Sequence, residues 1–324
     1  MDYYEQFRRA AIKQGVPEDE AERFAGLLRF TVCANRRHDG HVLPYPQGLP
    51  PGQTADVVVG RTGGLPRLPV GMPWPTTDPG VPLPFVASFD CAALPRVDGL
   101  PLPLDGSLLV FLHHEDAYDT DRRSEEQQFA RLVHVPAGTE TVVATLADYP
   151  RNHFTTEREF IGPEHDLFAT VHADLPAWLA DEDDEDAEEL TSFQEQLARD
   201  LPHRRELRAL VDQLWPNGNF AAFQFGGYSW NTGELSRDGM YDVPELTIAE
   251  ENVSARQKSG ATVIDPDQED FLVEEEQQRV QREWIPLVQL DPGSPVYFAR
   301  FLIRVEDLTA GRFDRAVSWT EFTE

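Results

Sequence analysis

The spacing of apolar residues predicts helices at the start and in the middle of the chain. Near the N-terminus, Ala21, Phe24, Ala25 and Leu28 follow the i, i+3, i+4, i+7 pattern of a helix with one buried face. Leucines and a phenylalanine repeat in the same way beyond residue 190, and a stretch rich in Glu, Gln and Arg follows near residue 270. The predicted helices cover residues 3–13, 18–30, parts of 190–214, and 270–284.

Short apolar runs bounded by turn residues predict strands over most of the rest. The run GSLLVFLHH (106–114) is apolar on both faces, as expected of a buried strand. Residues 43–103 hold more than half of the 26 prolines, which favours extended chain with short strands between turns. The polar stretch up to about residue 264 is assigned to loop and edge strand. The predicted strands are 57–59, 85–89, 106–114, 131–135, 141–145, 219–225, 285–290 and 296–305.

Two segments of the chain resemble each other. Each has a Trp, an apolar strand that ends in Asp90 or Asp291, a turn, and a long apolar strand that ends in Glu-Asp. We therefore predict an α+β fold, mostly antiparallel sheet in two related halves, with N-terminal and central helices and a cleft at the seam between the halves. The predicted division of this single unit is an N-terminal helical segment (1–42), a first β-rich half (43–150), a largely helical insertion with an acidic run (151–218) and a second β-rich half (219–324).

The charge balance restricts the partners. The 324 residues carry a formal net charge of -29, which repels phosphate backbones and disfavours nucleic acid. A basic protein partner would be attracted instead. No run approaches 18 apolar residues and the N-terminus lacks the apolar segment of a signal peptide, so we expect no membrane span and a cytoplasmic location. We expect a monomer or a weak oligomer.

The densest group of possible ligands follows the 106–114 strand. It begins with His113, His114 and Glu115, which are candidates for a ligand pocket. Carboxylates that follow in the loop can hold a hard cation such as Ca²⁺ or Mg²⁺ through their oxygens, although their spacing is not that of an EF-hand. A polar loop that caps a strand is the alternative, and no cofactor is predicted. The possible cation ligands are Asp116, Asp119 and Asp121.

Three further residues complete the pocket candidates. Trp74 and Trp230 can line a ligand pocket, but aromatic residues are usually core residues. Arg61 is a candidate at the seam. The chain contains no nucleophile elbow, P-loop or dinucleotide-binding glycine motif.

Two runs near the start of the fold carry a family resemblance, GGLPRLPVGMPWP (63–75) and DGSLLVFLHHEDAYDTD (105–121), and the ending VYFARFLIRVEDLTAGRFDRAVSW (296–319) supports it. Together with PLPFVASFDCAALP (82–95), these runs resemble the YwqG-like family, which is mostly bacterial and uncharacterised. The resemblance covers roughly half of the chain and implies an α+β fold with antiparallel sheets. It implies no catalytic residues, and the segment 227–239 departs from the family pattern.

The leading functional hypothesis is a binding or interaction protein, for example one that neutralises a basic partner as an immunity or inhibitor protein does. The alternative is a metal-dependent hydrolase or a small-ligand sensor with its site at the seam of the halves. The sequence leaves open whether the protein is an enzyme.

Overall fold

A computed structural model of the chain describes residues 2–38, 41–42, 53–78, 80–120, 123–146, 159–180, 190–216, 221–230, 243–259, 269–291 and 297–322. Its helices are α1 (Tyr3–Lys13), α2 (Glu18–Ala25), α3 (His114–Tyr118), α4 (Arg123–Glu126), α5 (Ala177–Ala180), α6 (Ser192–Arg199), α7 (Arg204–Leu214), α8 (Pro244–Lys258), α9 (Glu269–Glu283) and α10 (Val305–Thr309), with 3-10 helices at Gln127–Phe129 and Phe313–Arg315.

One large antiparallel sheet organises the molecule, and a small two-stranded sheet lies beside it. The strands are β1 (Arg29–His38), β2 (His41–Val42), β3 (Val58–Thr62), β4 (Arg67–Pro69), β5 (Phe85–Asp90), β6 (Ser107–Leu112), β7 (Ala130–Val135), β8 (Thr141–Val143), β9 (His165–Asp174), β10 (Phe223–Phe225), β11 (Trp284–Leu290), β12 (Tyr297–Arg304) and β13 (Val317–Phe322). The sheet order is β13-β12-β11-β10-β1-β9-β3-β5-β6-β7, with β2 paired to β1. The small sheet pairs β4 with β8.

The sheet curves until its two edges approach each other. Gln127 lies just before β7, and its side chain accepts a hydrogen bond from the backbone N–H of Ser318 in β13 at 2.8 Å. The same amide donates to the Ser318 carbonyl at 3.0 Å. One side chain thus pairs with an edge strand as a neighbouring strand would, and the sheet is nearly barrel-shaped.

The predicted α+β fold with antiparallel sheet is confirmed, but three predicted elements are wrong. The helix predicted over 18–30 ends at Ala25, and β1 begins at Arg29. The largely helical insertion contains β9, which pairs with β1 in the middle of the sheet. The loop and edge strand expected before residue 264 include α8, which begins with Pro244 in its first turn and buries Leu246, Ala249 and Val253.

The order of strands in the first half of the main sheet recurs in the second. The first half runs β3, β5, β6, α3, a 3-10 turn and β7, with β4 and α4 inserted, and the second runs β10, β11, β12, α10, a 3-10 turn and β13, with α8 and α9 inserted. A pair of glycines with positive φ follows the first strand of each series, Gly63-Gly64 and Gly226-Gly227. This order agrees with the predicted internal repeat, and common descent of the halves stays a prediction.

The two faces of the sheet differ. One face carries the main apolar core, to which β1 contributes Phe30, Val32 and Ala34 and β12 contributes Ala299, Phe301 and Ile303. On the other face, the first half is covered by the β4–β8 sheet and the segment that follows β4, from which Leu68 and Trp74 pack on β6. In the second half that outer face mixes polar side chains, such as Gln289 and Arg300, with apolar ones, such as Leu302 and Trp319.

Candidate functional site

A row of mostly polar side chains crosses the outer face of the central strands and of the second half. Residues directly opposite each other on neighbouring strands, which point to the same side of a sheet, form this row. The neighbours contact each other, as the Cys33 thiol approaches Gln224 Oε1 at 3.9 Å. From β9 to β13, the polar row is Thr170, Cys33, Gln224, Gln289, Arg300 and Trp319.

The segment 226–230, which we call the 226–230 turn, lies against this row. Gly226 and Gly227 have φ angles of 74° and 85°, a conformation that favours glycine. A Cβ atom on Gly227 would lie 2.4 Å from the Asp174 carboxylate, so the close approach of backbone to carboxylate requires glycine. Gln289 holds the far end of the turn, since it accepts from the Trp230 N–H at 2.7 Å and donates to the Tyr228 carbonyl at 2.9 Å.

Arg29, Asp174 and Tyr228 form a charged cluster on one side of the turn. The Arg29 guanidinium lies 4.1 Å from the centre of the Tyr228 ring and donates to the Gly227 carbonyl at 3.1 Å. Asp174 accepts from the Tyr228 N–H at 2.7 Å. Burial raises the pKa of Asp174 to about 6, although this hydrogen bond and the Arg29 charge act to lower it.

Glu245 and Arg300 lie on the other side of the turn, where they form what we call the buried pair. Glu245 is 1% exposed and accepts from the Ser229 hydroxyl at 2.8 Å. Arg300 is fully buried, and it donates to the Trp230 carbonyl and to Glu321. Ser229 and Trp230 are consecutive, so the two charged side chains meet adjacent points of one backbone segment.

Both members of the buried pair have atoms without a hydrogen-bond partner among the described residues. These atoms are Oε2 of Glu245 and Nε of Arg300. Nη1 of Arg300 lies 2.8 Å from Glu321 Oε1 at ion-pair distance, without the angle of a hydrogen bond. Burial raises the pKa of Glu245, while the Ser229 hydroxyl and the charge of Arg300 act to lower it. Buried polar atoms without partners are rare in native proteins, and each one calls for an explanation such as a bound water, an ion or a functional role.

A cavity of about 510 Å³, which we call the seam cavity, opens beside the charged cluster. Its walls come from the N-terminal segment, the first half, the helical insertion, which contributes Leu197, and the second half. A functional site at the seam of the halves stays a prediction. Asp98 and Arg282 are exposed on its wall, and neither has an ion-pair partner within the part of the chain that the structure describes. The volume is within the range of pockets for small ligands.

The structure does not bring the predicted pocket residues together. Arg61 lies in β3, where it is more than half exposed and pairs with Asp166 at 3.2 Å and Glu164 at 3.4 Å. Trp74 is buried in the small core under the β4–β8 sheet, and its indole N–H donates to the Leu83 carbonyl at 2.8 Å. Neither residue lines the seam cavity.

His113, His114 and Glu115 lie at the start of α3. The His113 ring caps this helix by accepting from the Asp116 N–H at 3.1 Å, and the His114 ring packs on Tyr297 with 4.8 Å between ring centres. The Trp230 ring packs instead on Phe298. Because Tyr297 and Phe298 are consecutive in β12, their side chains point to opposite faces of the sheet. His114 and Trp230 therefore lie against opposite faces of β12.

The three candidate cation ligands are not all described. The Asp116 side chain is half exposed and Asp119 is exposed, whereas Asp121 lies outside the described residues. Among the residues that are described, no group of three or more His, Cys, Asp or Glu side chains is arranged to hold a metal ion. A Ca²⁺ or Mg²⁺ site in this loop stays a prediction.

Sequence reasoning missed the polar row and both clusters around the 226–230 turn. A signal was present, because Gln224, Gln289 and Arg300 each interrupt an otherwise apolar strand. Glu245 gave no such signal, since an acidic residue in the first turn of a helix is common. Cys33 is not a candidate nucleophile, because burial raises the pKa of its thiol to about 12.

Comparison with known proteins gives one family. No helix among the described residues is long and apolar enough to cross a membrane. A search of curated proteins found no match. Residues 60–321 match a family model described as "Domain of unknown function (DUF1963)", which covers both halves of the sheet and the 226–230 turn. The YwqG-like resemblance seen in the sequence is not established by this match. The chain belongs to the DUF1963 family.

Proposed function

We propose that this protein binds a small polar ligand in the seam cavity. The observation that carries the proposal is a cavity of ligand size where four parts of the chain meet, with Asp98 and Arg282 exposed on its wall and free of ion-pair partners among the described residues. Its charges of opposite sign favour an amphoteric ligand that carries both an acidic and a basic group.

Ligand-induced stabilisation tests this proposal. Amino acids, nucleotides, sugars and divalent cations would be screened for a rise in melting temperature, and hits measured by titration calorimetry. A ligand at about a hundredfold its dissociation constant stabilises the native state by about 2.7 kcal/mol, which gives a shift of several degrees.

A cavity-filling variant assigns any hit to the seam cavity. Gln278 lines the cavity from α9, so Gln278→Trp should occupy it and weaken binding at least tenfold. Glu275→Trp places the same bulk on the exposed side of α9 and is the matched control. Binding that both variants leave unchanged would show that the ligand lies elsewhere.

A basic protein partner is a second candidate, supported by the net charge of -29. Many described arginines already pair with carboxylates on their own chain, as Arg23 does with Asp19, so unpaired acidic groups remain to attract a partner. The affinity of this protein for a lysine- and arginine-rich protein should fall steeply as the salt concentration rises. It should also exceed the affinity that an unrelated acidic protein of the same net charge has for the same basic protein. Affinity that does not change at high salt would contradict this candidate.

We also propose that the protein is a member of the YwqG-like family and is cytoplasmic, both of which are compatible with an acidic binding protein. A metal-dependent hydrolase would place its site at Glu115 and Asp116, and replacement of both by alanine would then abolish metal affinity. Unchanged metal affinity would remove these residues from consideration.

A further inference from the structure

The buried pair occupies a position where the corresponding strand of the first half is apolar. In the second half the register places Gln224, Gln289, Arg300 and Trp319 side by side. The same register in the first half gives Arg61, Ser88, Leu109 and Val133. A leucine therefore stands in the first half where the second half buries an arginine, and the sheet itself does not require a charge at that position.

Burying Arg300 and Glu245 is costly unless every polar atom is satisfied. Among the described residues Arg300 forms its ion pair with Glu321, and Glu245 has no cation at ion-pair distance. Desolvation can exceed the Coulomb attraction gained even for a buried ion pair, and an apolar replacement is often neutral or stabilising. Arg300 is fully buried and Glu245 is 1% exposed, yet each leaves one polar atom without a partner among the described residues. A role in binding explains this arrangement better than a role in packing.

The charges around the pair specify the complementary group. Glu321 lies at 2.8 and 2.9 Å from the Arg300 guanidinium and offsets its charge, so Arg300 Nε suits a neutral oxygen better than an anion. Glu245 receives one hydrogen bond from Ser229 and retains a free carboxylate oxygen. An N–H donor, with or without a positive charge, complements that oxygen.

We infer that Glu245 and Arg300 form a second ligand site that binds an amine or amide N–H together with a neighbouring hydroxyl or carbonyl oxygen. The N–H donates to Glu245 Oε2, and the oxygen accepts from Arg300 Nε. Ser229 holds the carboxylate in place, and the Trp230 carbonyl holds the guanidinium. This site is distinct from the seam cavity, because Ser229, Glu245 and Arg300 do not line that cavity.

Small probes that carry the proposed groups test the inference. Ethanolamine and glycinamide each combine an N–H donor with an oxygen acceptor, whereas choline has the oxygen but no N–H. The full chain should give saturable binding of the first two probes by calorimetry and a rise in melting temperature, and choline should give neither.

Two carboxylate variants locate the probe. Glu245→Gln should weaken probe binding about tenfold to a hundredfold, as expected for the loss of a charge-assisted hydrogen bond. Glu276→Gln is the matched control, because Glu276 is 3% exposed but its carboxylate accepts hydrogen bonds from Asn252, Arg256 and Arg279. The control should lose stability and keep its affinity for the probes.

Other variants separate the possible failures. Ser229→Ala, a milder change, should weaken binding several-fold even where Glu245→Gln does not fold. Gln278→Trp, which fills the seam cavity, should leave probe binding unchanged, so that failure of one site is distinguished from failure of the other. Absence of saturable binding in the full chain, or equal affinity in Glu245→Gln and the parent protein, would overturn the inference and leave the two atoms hydrated.

Discussion

Asp174 and His172 give β9 two titrating groups whose effects on stability oppose each other. Burial raises the pKa of Asp174 to about 6 and lowers the pKa of His172 to about 4. The folded protein therefore favours a protonated, neutral Asp174 and a neutral His172. Stability from Asp174 is lost as the pH rises from about 4 to about 6, whereas stability from His172 is lost as the pH falls from about 6.5 to about 4.

The two effects should nearly cancel at pH 5. There the native Asp174 holds most of a proton that the unfolded chain releases, while the native His172 lacks a proton that the unfolded chain holds. Each group alone changes the free energy of unfolding by about 1.2 kcal/mol per pH unit, with opposite signs. Across the full window each amounts to about 3 kcal/mol.

Single substitutions separate the two contributions. Asp174→Asn keeps an oxygen that can accept from the Tyr228 N–H and removes the titrating group. Its stability relative to the parent protein should therefore rise with pH by about 1.2 kcal/mol per unit around pH 5. His172→Gln keeps a polar group near the Thr170 hydroxyl, 3.0 Å from the ring in the native protein, and its relative stability should fall by a similar amount.

Urea denaturation from pH 4 to 7 measures these slopes directly. Asp314→Asn removes a carboxylate that is 79% exposed and gives the baseline for the loss of one acidic group. The comparison of each variant with the parent protein cancels all other titrating groups. If Asp174→Asn and the parent protein gave parallel profiles between pH 4 and 6, the buried environment inferred for Asp174 would be wrong.

Three further predictions concern the sheet edges, the turn and the thiols. Gln127→Ala removes the hydrogen bonds to Ser318 that join the edges and should lower the free energy of unfolding by about 1–3 kcal/mol, measured by urea denaturation, whereas unchanged stability would show that the edges do not depend on them. Gly227→Ala should destabilise the protein by more than 2 kcal/mol because its methyl group has no space and its φ is positive, and a Tm equal to that of the parent protein would refute the geometry of the turn. Burial raises the pKa of the Cys33 and Cys91 thiols to about 12 and about 11, so an aromatic disulfide reagent should react with both only after unfolding, and rapid reaction of the native protein would contradict their burial.

The sequence predicts β5, β6, β7, β11 and β12 well, but it misses β1 and β9 in the centre of the sheet and β13 at its edge. The run at β6 is apolar on both faces because it packs against the main core on one side and the β4–β8 sheet on the other. Its continuous apolar sequence therefore indicates a buried strand. In β1, Phe30, Val32 and Ala34 alternate with Thr31, Cys33 and Asn35, so a polar outer face dilutes the signal. The apolar spacing of α2 extends to Leu28 in the sequence, so the predicted helix runs past Ala25 into the start of β1 at Arg29.

The candidate site is less predictable because its parts are distant in the sequence. Arg29 and Gly227 are 198 residues apart in the sequence and are brought into contact by the sheet. Glu245 contacts Ser229 from a separate helix. Histidines and acids that are adjacent in sequence draw attention, but His114 and Trp230 belong to opposite faces of the sheet. Single polar residues inside apolar strands are the better guide here, since burial without a partner is expensive in a sheet that is otherwise apolar.

The difference between the two halves locates function more sharply than either half does alone. Both halves have the same order of strands and a glycine pair after the first strand, so the sheet itself does not require their outer faces to differ. The first half covers its outer face with Leu68 and Trp74, which contribute stability through apolar burial. The second half instead buries Arg300 and Glu245 beside the 226–230 turn, at a cost in desolvation. The fold stabilises this face with apolar packing in one half, and the ligand site that we propose at Glu245 and Arg300 accounts for the charges that the other half retains.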